Sequence, residues 1–357
     1  MALFGNFFQK KERSVIGVDI GSSSLKVVQL RKEHGKAVLE TYGELALGPY
    51  GGLEVGQATN LSAEQITENL KDLLREAKVT TKSAALSIPY ARSLLTLVTL
   101  PYREDPKEQK TVIELEARKY IPVPISEVQL DWFIVPEGKP GQTQEKKDKV
   151  QVLLVAVHND EIKLLQSIVN GAGLEASFYE IEIFSTIRAV VREPVKVVMV
   201  LDVGASTTKS YIVEHGVVAL SHAIHAGSQD ITRALSASKN LSLKSAEALK
   251  KTTGILGGAG GSHELVFARI FSEAHRVMVQ FETAQQKPVS AIVLTGGGGV
   301  TKDLGEYAKR FFSVDVQVAD PFAKTEAPEF MRPVLKSVGP EFSVAVGLAL
   351  RKLEEIS

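Results

Sequence analysis

Val15-Ile16-Gly17-Val18-Asp19-Ile20-Gly21-Ser22-Ser23-Ser24-Leu25-Lys26-Val27-Val28-Gln29-Leu30 reads as an apolar strand, a tight Gly-Ser turn and a second strand. The same order returns in Val197-Val198-Met199-Val200-Leu201-Asp202-Val203-Gly204-Ala205-Ser206-Thr207-Thr208-Lys209-Ser210-Tyr211-Ile212: Asp, apolar, Gly, any residue, Ser, Ser or Thr, any residue, Lys. From Asp19 to Asp202 is a shift of 183 positions (202 − 19), and the following turns repeat too, as Glu33-His34-Gly35 and Glu214-His215-Gly216. A fold built of two related α/β halves is predicted.

Phosphate gives such a pair its physical reason. A glycine turn lets the backbone approach an anion, while N–H groups, Ser/Thr hydroxyls and a lysine supply donors and charge. A carboxylate at the strand end holds a hydrated Mg²⁺ opposite them. Gly21, Ser22, Ser23, Ser24 and Lys26 are the candidates in the first copy, and Gly204, Ala205, Ser206, Thr207 and Lys209 in the second. Asp19 and Asp202 are the candidate metal residues, acting mainly through water. Asp-x-Gly-x-Ser is also ordinary β-turn chemistry. Two copies in register, each keeping the Asp, the Gly and the Lys, favour the anion.

The 357 residues are enough for two domains, and 44% hydrophobic with 24% charged residues is usual for a globular chain. Forty-two basic and forty-two acidic residues cancel, so nothing points to a nucleic-acid partner. Cysteine is absent, which excludes disulfides, thiolate metal sites and a Cys nucleophile. With no long apolar run and no leader pattern visible, a cytoplasmic protein is expected. The tail 1–13 sets three Phe and a Leu before a basic cluster, read either as a membrane-surface contact or as a plain lead-in.

A strand near Ala37–Tyr42 and the loop Gly48-Pro49-Tyr50-Gly51-Gly52 precede a helix capped by Ser62 with Gln65. From Ala84 to about Phe178 the pattern is a separate α+β unit. Its strands are Ala84–Ile88, Leu94–Leu100, Val128–Val135 and Val150–Val157; one helix starts at Asp105-Pro106, and another is capped by Asn159 and stops at Gly171. Pro136–Lys149, rich in charge, reads as an exposed loop, and Gly257–Gly261 as a flexible one. Val195–Val203 opens the second half. Gly227 precedes a helix whose free N–H groups suit a terminal phosphate, or is a plain strand-to-helix turn. Ser242 caps Leu243–Lys251, where Glu247 and Lys250 share a face and alone would read as a surface ion pair. Ser262–Gln286 is a long helix with Leu265, Val266, Ile270 and Phe271 inward. Ala291–Thr295 then delivers Gly296, Gly297, Gly298 and Gly299, against which a flat ring can lie. Neither G-x-G-x-x-G nor the Walker pattern occurs. Ser343–Leu353 is a closing helix with small residues at Ala345, Gly347 and Ala349.

These motifs resemble the actin-like ATPase superfamily, which includes sugar kinases, heat-shock chaperones, FtsA and MreB. The resemblance implies duplicated ribonuclease-H-like domains and bound ATP with Mg²⁺. It assigns Asp19–Lys26 and Asp202–Lys209 as phosphate motifs, Tyr179–Ala189 and Ser343–Leu348 as connecting helices, and Thr295–Gly299 as the adenosine motif. Glu247 and Lys250 become ribose and adenine contacts, and Glu182 a water-orienting residue. The expected domains are a tail 1–13, a first half 14–82 with 173–194, an FtsA-type insert 83–172, a second half 195–226 with 288–357, and a helical nucleotide-capping subdomain 227–287.

Within that superfamily, Glu116-Ala117-Arg118-Lys119-Tyr120-Ile121-Pro122-Val123-Pro124 and Tyr179–Ala189 look like the PilM family of cytoplasmic type IV pilus proteins. That resemblance implies an adaptor at the inner face of the membrane, peripheral through its partner. The partners implied are the cytoplasmic N-terminal peptide of PilN and other inner-membrane proteins of the pilus complex, with self-association compatible. Two prolines keep the segment after Glu116 extended, so that Tyr120, Ile121 and Val123 either line an apolar groove or seal the subdomain core; the resemblance favours the groove and makes them, with Arg118, the expected peptide site. The acidic end Leu353-Glu354-Glu355-Ile356-Ser357 departs from FtsA, whose chains end in a basic amphipathic helix. An FtsA-like division adaptor and a sugar- or acetate-kinase-like phosphotransferase are the alternatives; a kinase needs an acidic base and a substrate pocket, and no second polar cluster marks one. Slow or no ATP turnover is expected.

Overall fold

The computed structural model describes residues 14–135, 148–193, 195–256 and 261–356. The tail reading at 1–13, most of the loop reading at Pro136–Lys149, and 257–260 of the glycine stretch lie outside the described residues; Lys149 itself begins a strand.

The first half comprises β1 (Ser14–Ile20), β2 (Ser24–Glu33), β3 (Lys36–Ala46), α1 (Ala63–Glu76) and β4 (Ser83–Ile88). An inserted unit follows: β5 (Ser93–Pro101), α2 (Pro106–Ala117), β6 (Val128–Ile134) and β7 (Lys149–His158). The chain then returns through α3 (Asn159–Gly171), β8 (Glu175–Ile181) and α4 (Glu182–Val190). The second half runs β9 (Val198–Val203), β10 (Thr208–Glu214), β11 (Val217–Ile224), α5 (Ser228–Lys239), α6 (Leu243–Thr252), α7 (Ser262–Gln285), β12 (Ala291–Thr295), α8 (Leu304–Ala308), β13 (Asp315–Val318), α9 (Arg332–Val338) and α10 (Ser343–Glu355).

The duplication is complete at the level of topology. One sheet has the order β3-β2-β1-β4-β8 and the other β11-β10-β9-β12-β13, so each strand of the first has a counterpart in the second. In both, the hairpin register sets the motif's carboxylate directly across from its lysine, Asp19 opposite Lys26 and Asp202 opposite Lys209. Their central strands are apolar on both faces because helices cover both sides: Val15, Ile16 and Val18 in β1 and Met199, Val200 and Leu201 in β9 are buried.

Three expectations about the insert are corrected. Ser83–Ile88 is not its first strand: β4 pairs in parallel with β1 and β8 inside the first sheet. Nor does α3 belong to it, since Ile168 and Val169 pack with Leu70 and Leu73 of α1 in the first half's core. The unit that remains is a three-stranded sheet, β5-β7-β6, covered by α2, with its own core around Val98, Ile113, Val152 and Leu154. Asn159 does not cap α3. The cap position is His158, and the Asn159 side chain instead donates to the Ser126 carbonyl, tying the helix start to the insert.

Local chemistry agrees elsewhere. Ser62 and Gln65 form a reciprocal capping box, and Asp105 accepts from the Lys107 N–H before Pro106. Leu265, expected inward, is 72% exposed; Phe267, three and four residues before Ile270 and Phe271, continues the buried stripe of α7 instead. Only part of Tyr179–Ala189 is helical, as Tyr179–Ile181 completes β8 and the helix begins at Glu182. Val195 is exposed and its strand starts at Val198. Contrary to the expectation of no long apolar run, the helical stretch Glu329–Glu355 is long and apolar enough to span a membrane, with mean hydropathy 1.2. Most of it is buried, because α10 lies between β1 and α4 as a core helix.

That central position fixes the hinge between the halves. A Cβ on Gly347 would fall 1.8 Å from the Ser185 carbonyl oxygen of α4, so the helix backbones touch. Beside this contact Glu180, 6% exposed, accepts two guanidinium N–H bonds from Arg188 at 2.8 and 2.9 Å and one from Arg351 at 2.6 Å. Strand end and both connecting helices are thereby joined by one buried carboxylate.

Candidate nucleotide cleft

Because the two hairpins occupy equivalent places in sheets that face one another, their turns meet across a cleft of about 790 Å³. A volume of this size is usual for a small-molecule site. Its walls include Asp19, Gly21, Ser22, Ser23, Ser24 and Lys26 from the first half. The second half contributes Asp202, Gly204, Ala205, Ser206, Thr207 and Lys209, and Glu182, Glu247, Lys250, Gly296 and Gly297 complete the set. The turns are built alike: the Gly21 N–H donates to the Ser24 carbonyl at 3.0 Å, and the Gly204 N–H to the Thr207 carbonyl at 3.1 Å.

Gly227 and Gly298 stand just behind the lining. Gly227 begins α5 against the Ala205 carbonyl, while its neighbour Ser228 faces the cleft. Gly298 packs on Val203. Gly296 has φ of +83°, and a Cβ there would lie 2.3 Å from Asp202 Oδ1, so any side chain would displace the carboxylate. The glycines thus leave bare backbone beside Asp202, a cradle suited to a flat group.

Each lysine is held by acids of the cleft. Lys209 Nζ lies 2.5 Å from Glu182 Oε2 and 3.0 Å from Asp202 Oδ2. Burial disfavours its charge, but the Asp202 and Glu182 carboxylates win and raise it well above the ordinary lysine range. The other Glu182 oxygen accepts the Tyr90 N–H at 2.7 Å. Lys26 donates to Ser24 Oγ at 2.6 Å and pairs with Glu44 at 3.2 Å. Asp19 accepts from Ser87 Oγ at 2.9 Å, and burial raises its carboxyl to about 6 despite Lys26 nearby. Glu341, facing Glu44, is likewise raised by burial and by that carboxylate.

Glu247 and Lys250 are not a surface pair. Their charged atoms are 2.6 Å apart with side chains 8% and 10% exposed, and Thr232 Oγ1 bonds both, at 2.7 and 3.0 Å. Among the described residues no cluster of three or more metal-ligating side chains forms. Two carboxylates on opposite walls suit a cation whose remaining ligands are water and phosphate.

Of the four residues expected to hold a peptide, two are exposed. Tyr120 is 42% exposed and Arg118 is exposed, but Ile121 is buried in the insert's core with Ile113 and Ala117, and Val123 is half-buried against it. The proline-flanked segment turns back on the helix end, as the Ile121 N–H bonds the Ala117 carbonyl. Ile121 therefore seals the subdomain.

Several cleft residues were missed. Glu44 was legible in principle, because alternation along β3 sets it across from Lys26. Glu341, Ser87 and Tyr90 carry no local signal and arrive by topology.

Two duplicated sheets, paired phosphate-type turns and a glycine cradle define a member of the actin-like ATPase fold class. MreB 5 of Spiroplasma citri bound to AMPPNP shares that fold: 14% identity, 96% of this chain and 98% of that one, TM-score 0.53. So does the ethanolamine utilization protein EutJ from Carboxydothermus hydrogenoformans, at 15% identity, 94% and 89% coverage and TM-score 0.52. A solved PilM–PilN type IV pilus biogenesis complex is more similar, with 26% identity over 95% of this chain and 98% of that chain and a TM-score of 0.79. The model of the type IV pilus assembly protein PilM family matches residues 17–353, and the chain belongs to that family.

Proposed function

We propose that this chain binds ATP with Mg²⁺ between its halves and serves as a cytoplasmic adaptor of type IV pilus assembly. In this reading it lies at the inner face of the cytoplasmic membrane, holds the cytoplasmic N-terminal peptide of PilN, and links it to other inner-membrane proteins of the machinery. The observation that carries the nucleotide reading is the repeated Asp–Lys register on two facing walls. Ser22, Ser23, Ser206, Thr207 and the two lysines hold phosphate, Asp19 and Asp202 hold the cation through water, and Glu247 and Lys250 take the ribose and base. Bound Mg²⁺ supplies charge neutralisation of the phosphates. Glu182 has both oxygens engaged, by Lys209 and the Tyr90 N–H, which leaves little freedom for a general base and favours an adaptor over a phosphotransferase.

Calorimetry with ATP and Mg²⁺ tests the cleft. Asp19→Ala and Asp202→Ala each remove a charge facing the cation and should weaken binding tenfold or more, on the scale of deleting a charged partner in a shielded site. Wild-type affinity in both variants would sink the assignment. Because burial raises Asp19 to about 6 from the ordinary 3.8, it is neutral through most of that window and charged above it. Mg²⁺-dependent affinity should therefore fall as pH drops through about 6. The stability effect of this group runs the opposite way: the folded state binds the proton more tightly, so it gains stability on acidification from 6 towards 3.8 and loses it as pH rises.

For the partner, a labelled PilN N-terminal peptide is titrated against wild type, Tyr120→Ala and Arg118→Ala. Several-fold weaker binding is expected in both, from an exposed aromatic and a cation on the insert. Binding that survives both but is lost in Asp19→Ala with the fold intact would move the peptide to the cleft.

A further inference from the structure

The loop between β3 and α1 crosses the mouth of the cleft. It begins where the Leu47 N–H donates to the Ser23 carbonyl at 2.8 Å, and it ends where the Thr59 N–H donates to the Ser22 carbonyl at 2.8 Å. Both ends are thus pinned to the first phosphate turn. Inside it the chain folds on itself, with the Leu53 N–H bonded to the Gly48 carbonyl and the Gln57 N–H to the Glu54 carbonyl. Its far side reaches the opposite half. The Ala58 N–H donates to Gln229 Oε1 in α5 at 3.1 Å. Gly56, with φ of +85°, lies so close to Glu247 that a Cβ would meet its carboxylate at 2.7 Å.

Deepening the ATP reading and resting on it, we propose that residues 47–59 are a strap that must lift for nucleotide to enter or leave the cleft. The strap closes over the mouth because Val55 and Gly56 line the cleft on one side while Gln229 and Glu247 hold it from the other half. Its closing contacts are with protein groups, so loosening it eases passage in both directions. A residue that merely touched nucleotide would change dissociation alone. The first phosphate turn carries both ends of the strap, so a phosphate accepting from the N–H and hydroxyl groups of Ser22 and Ser23 sits on the same two residues whose carbonyls anchor it.

The test is stopped-flow binding of a fluorescent ATP analogue with Mg²⁺ to the full chain, as wild type, Gln229→Leu and Gly56→Ala. Gln229→Leu keeps the size and removes the acceptor; Gly56→Ala pushes the strap off Glu247. In Gln229→Leu association and dissociation rate constants should both rise, by roughly three- to tenfold for one lost neutral hydrogen bond, with Kd nearly unchanged; in Gly56→Ala, whose Cβ also presses on the Glu247 carboxylate, the expected reading is the rise in association alone. Unchanged rates in Gln229→Leu, or faster dissociation with unaltered association, would overturn the strap while leaving ATP binding in place. Failure of the wild type to bind the analogue removes the nucleotide reading and the strap together. Should Gly56→Ala fail to fold, the Gln229→Leu rates decide alone.

Discussion

Gly347→Ala is expected to be the most destabilising single methyl that can be added to this chain's hinge. Its Cβ would fall 1.8 Å from the Ser185 carbonyl oxygen, 2.5 Å from the carbonyl carbon and 2.9 Å from the Cα. Backbone cannot rotate away as a side chain can. Nor can α10 retreat, since on its other face the Gly17 position of β1 leaves no room: a Cβ there would sit 2.0 Å from the Ala345 carbonyl. Overpacking commonly costs about 1–3 kcal/mol where neighbours can shift, so a site walled by main chain on both sides should lose about 3 kcal/mol or more. Thermal unfolding followed by circular dichroism reads this directly, with Gly297→Ala as the control, because a Cβ there meets nothing within 4 Å. If Gly347→Ala melts with the control, the close crossing of α4 and α10 is not a feature of the protein.

Lys209→Met should be nearly as damaging, by a different route. The ammonium sits between Asp202 and Glu182, whose side chains are 9% and 14% exposed, and methionine fills its volume without its charge. Removing one partner from a buried ion pair costs about 3–5 kcal/mol because the charge left behind has no counterpart, and partial exposure here argues for the lower end. Urea midpoints of wild type and Lys209→Met at neutral pH check this. An unchanged midpoint would mean that Glu182 and Asp202 find other partners.

Much of this arrangement was legible before any coordinate. The twin motif announced two halves because Asp, Gly, Ser and Lys each have a physical reason to recur at that spacing, and strand alternation placed most of the core. Boundaries of the insert were not legible: Ser83–Ile88 and Asn159–Gly171 are as apolar as the elements of the insert itself, and strand pairing across sequence decides which sheet they join. Ile121 failed for a related reason, since a segment held extended by prolines can face inward as readily as outward. Groups supplied by other elements, Glu341 before α10 in the lining and, behind it, Ser87 of β4 on Asp19 and the Tyr90 N–H on Glu182, have no neighbourhood signal at all. Composition and local pattern report on contacts within a few residues, and these are contacts made by topology.

The acids that hold the two lysines bear on which ionic form of nucleotide the cleft admits. Its lining carries Asp19, Glu44, Glu182, Asp202, Glu247 and Glu341 against Lys26, Lys209, Lys250, Lys251 and Lys302. Near-electroneutrality is thus reached before any ligand arrives: a bare triphosphate would bring about four more negative charges to a lining whose carboxylates already offset its lysines, whereas a divalent ion travelling with it halves that load. On the ATP reading proposed above, selection between free anion and metal salt would be made by local charge balance, and such a cleft would discriminate by valence before it discriminates by shape.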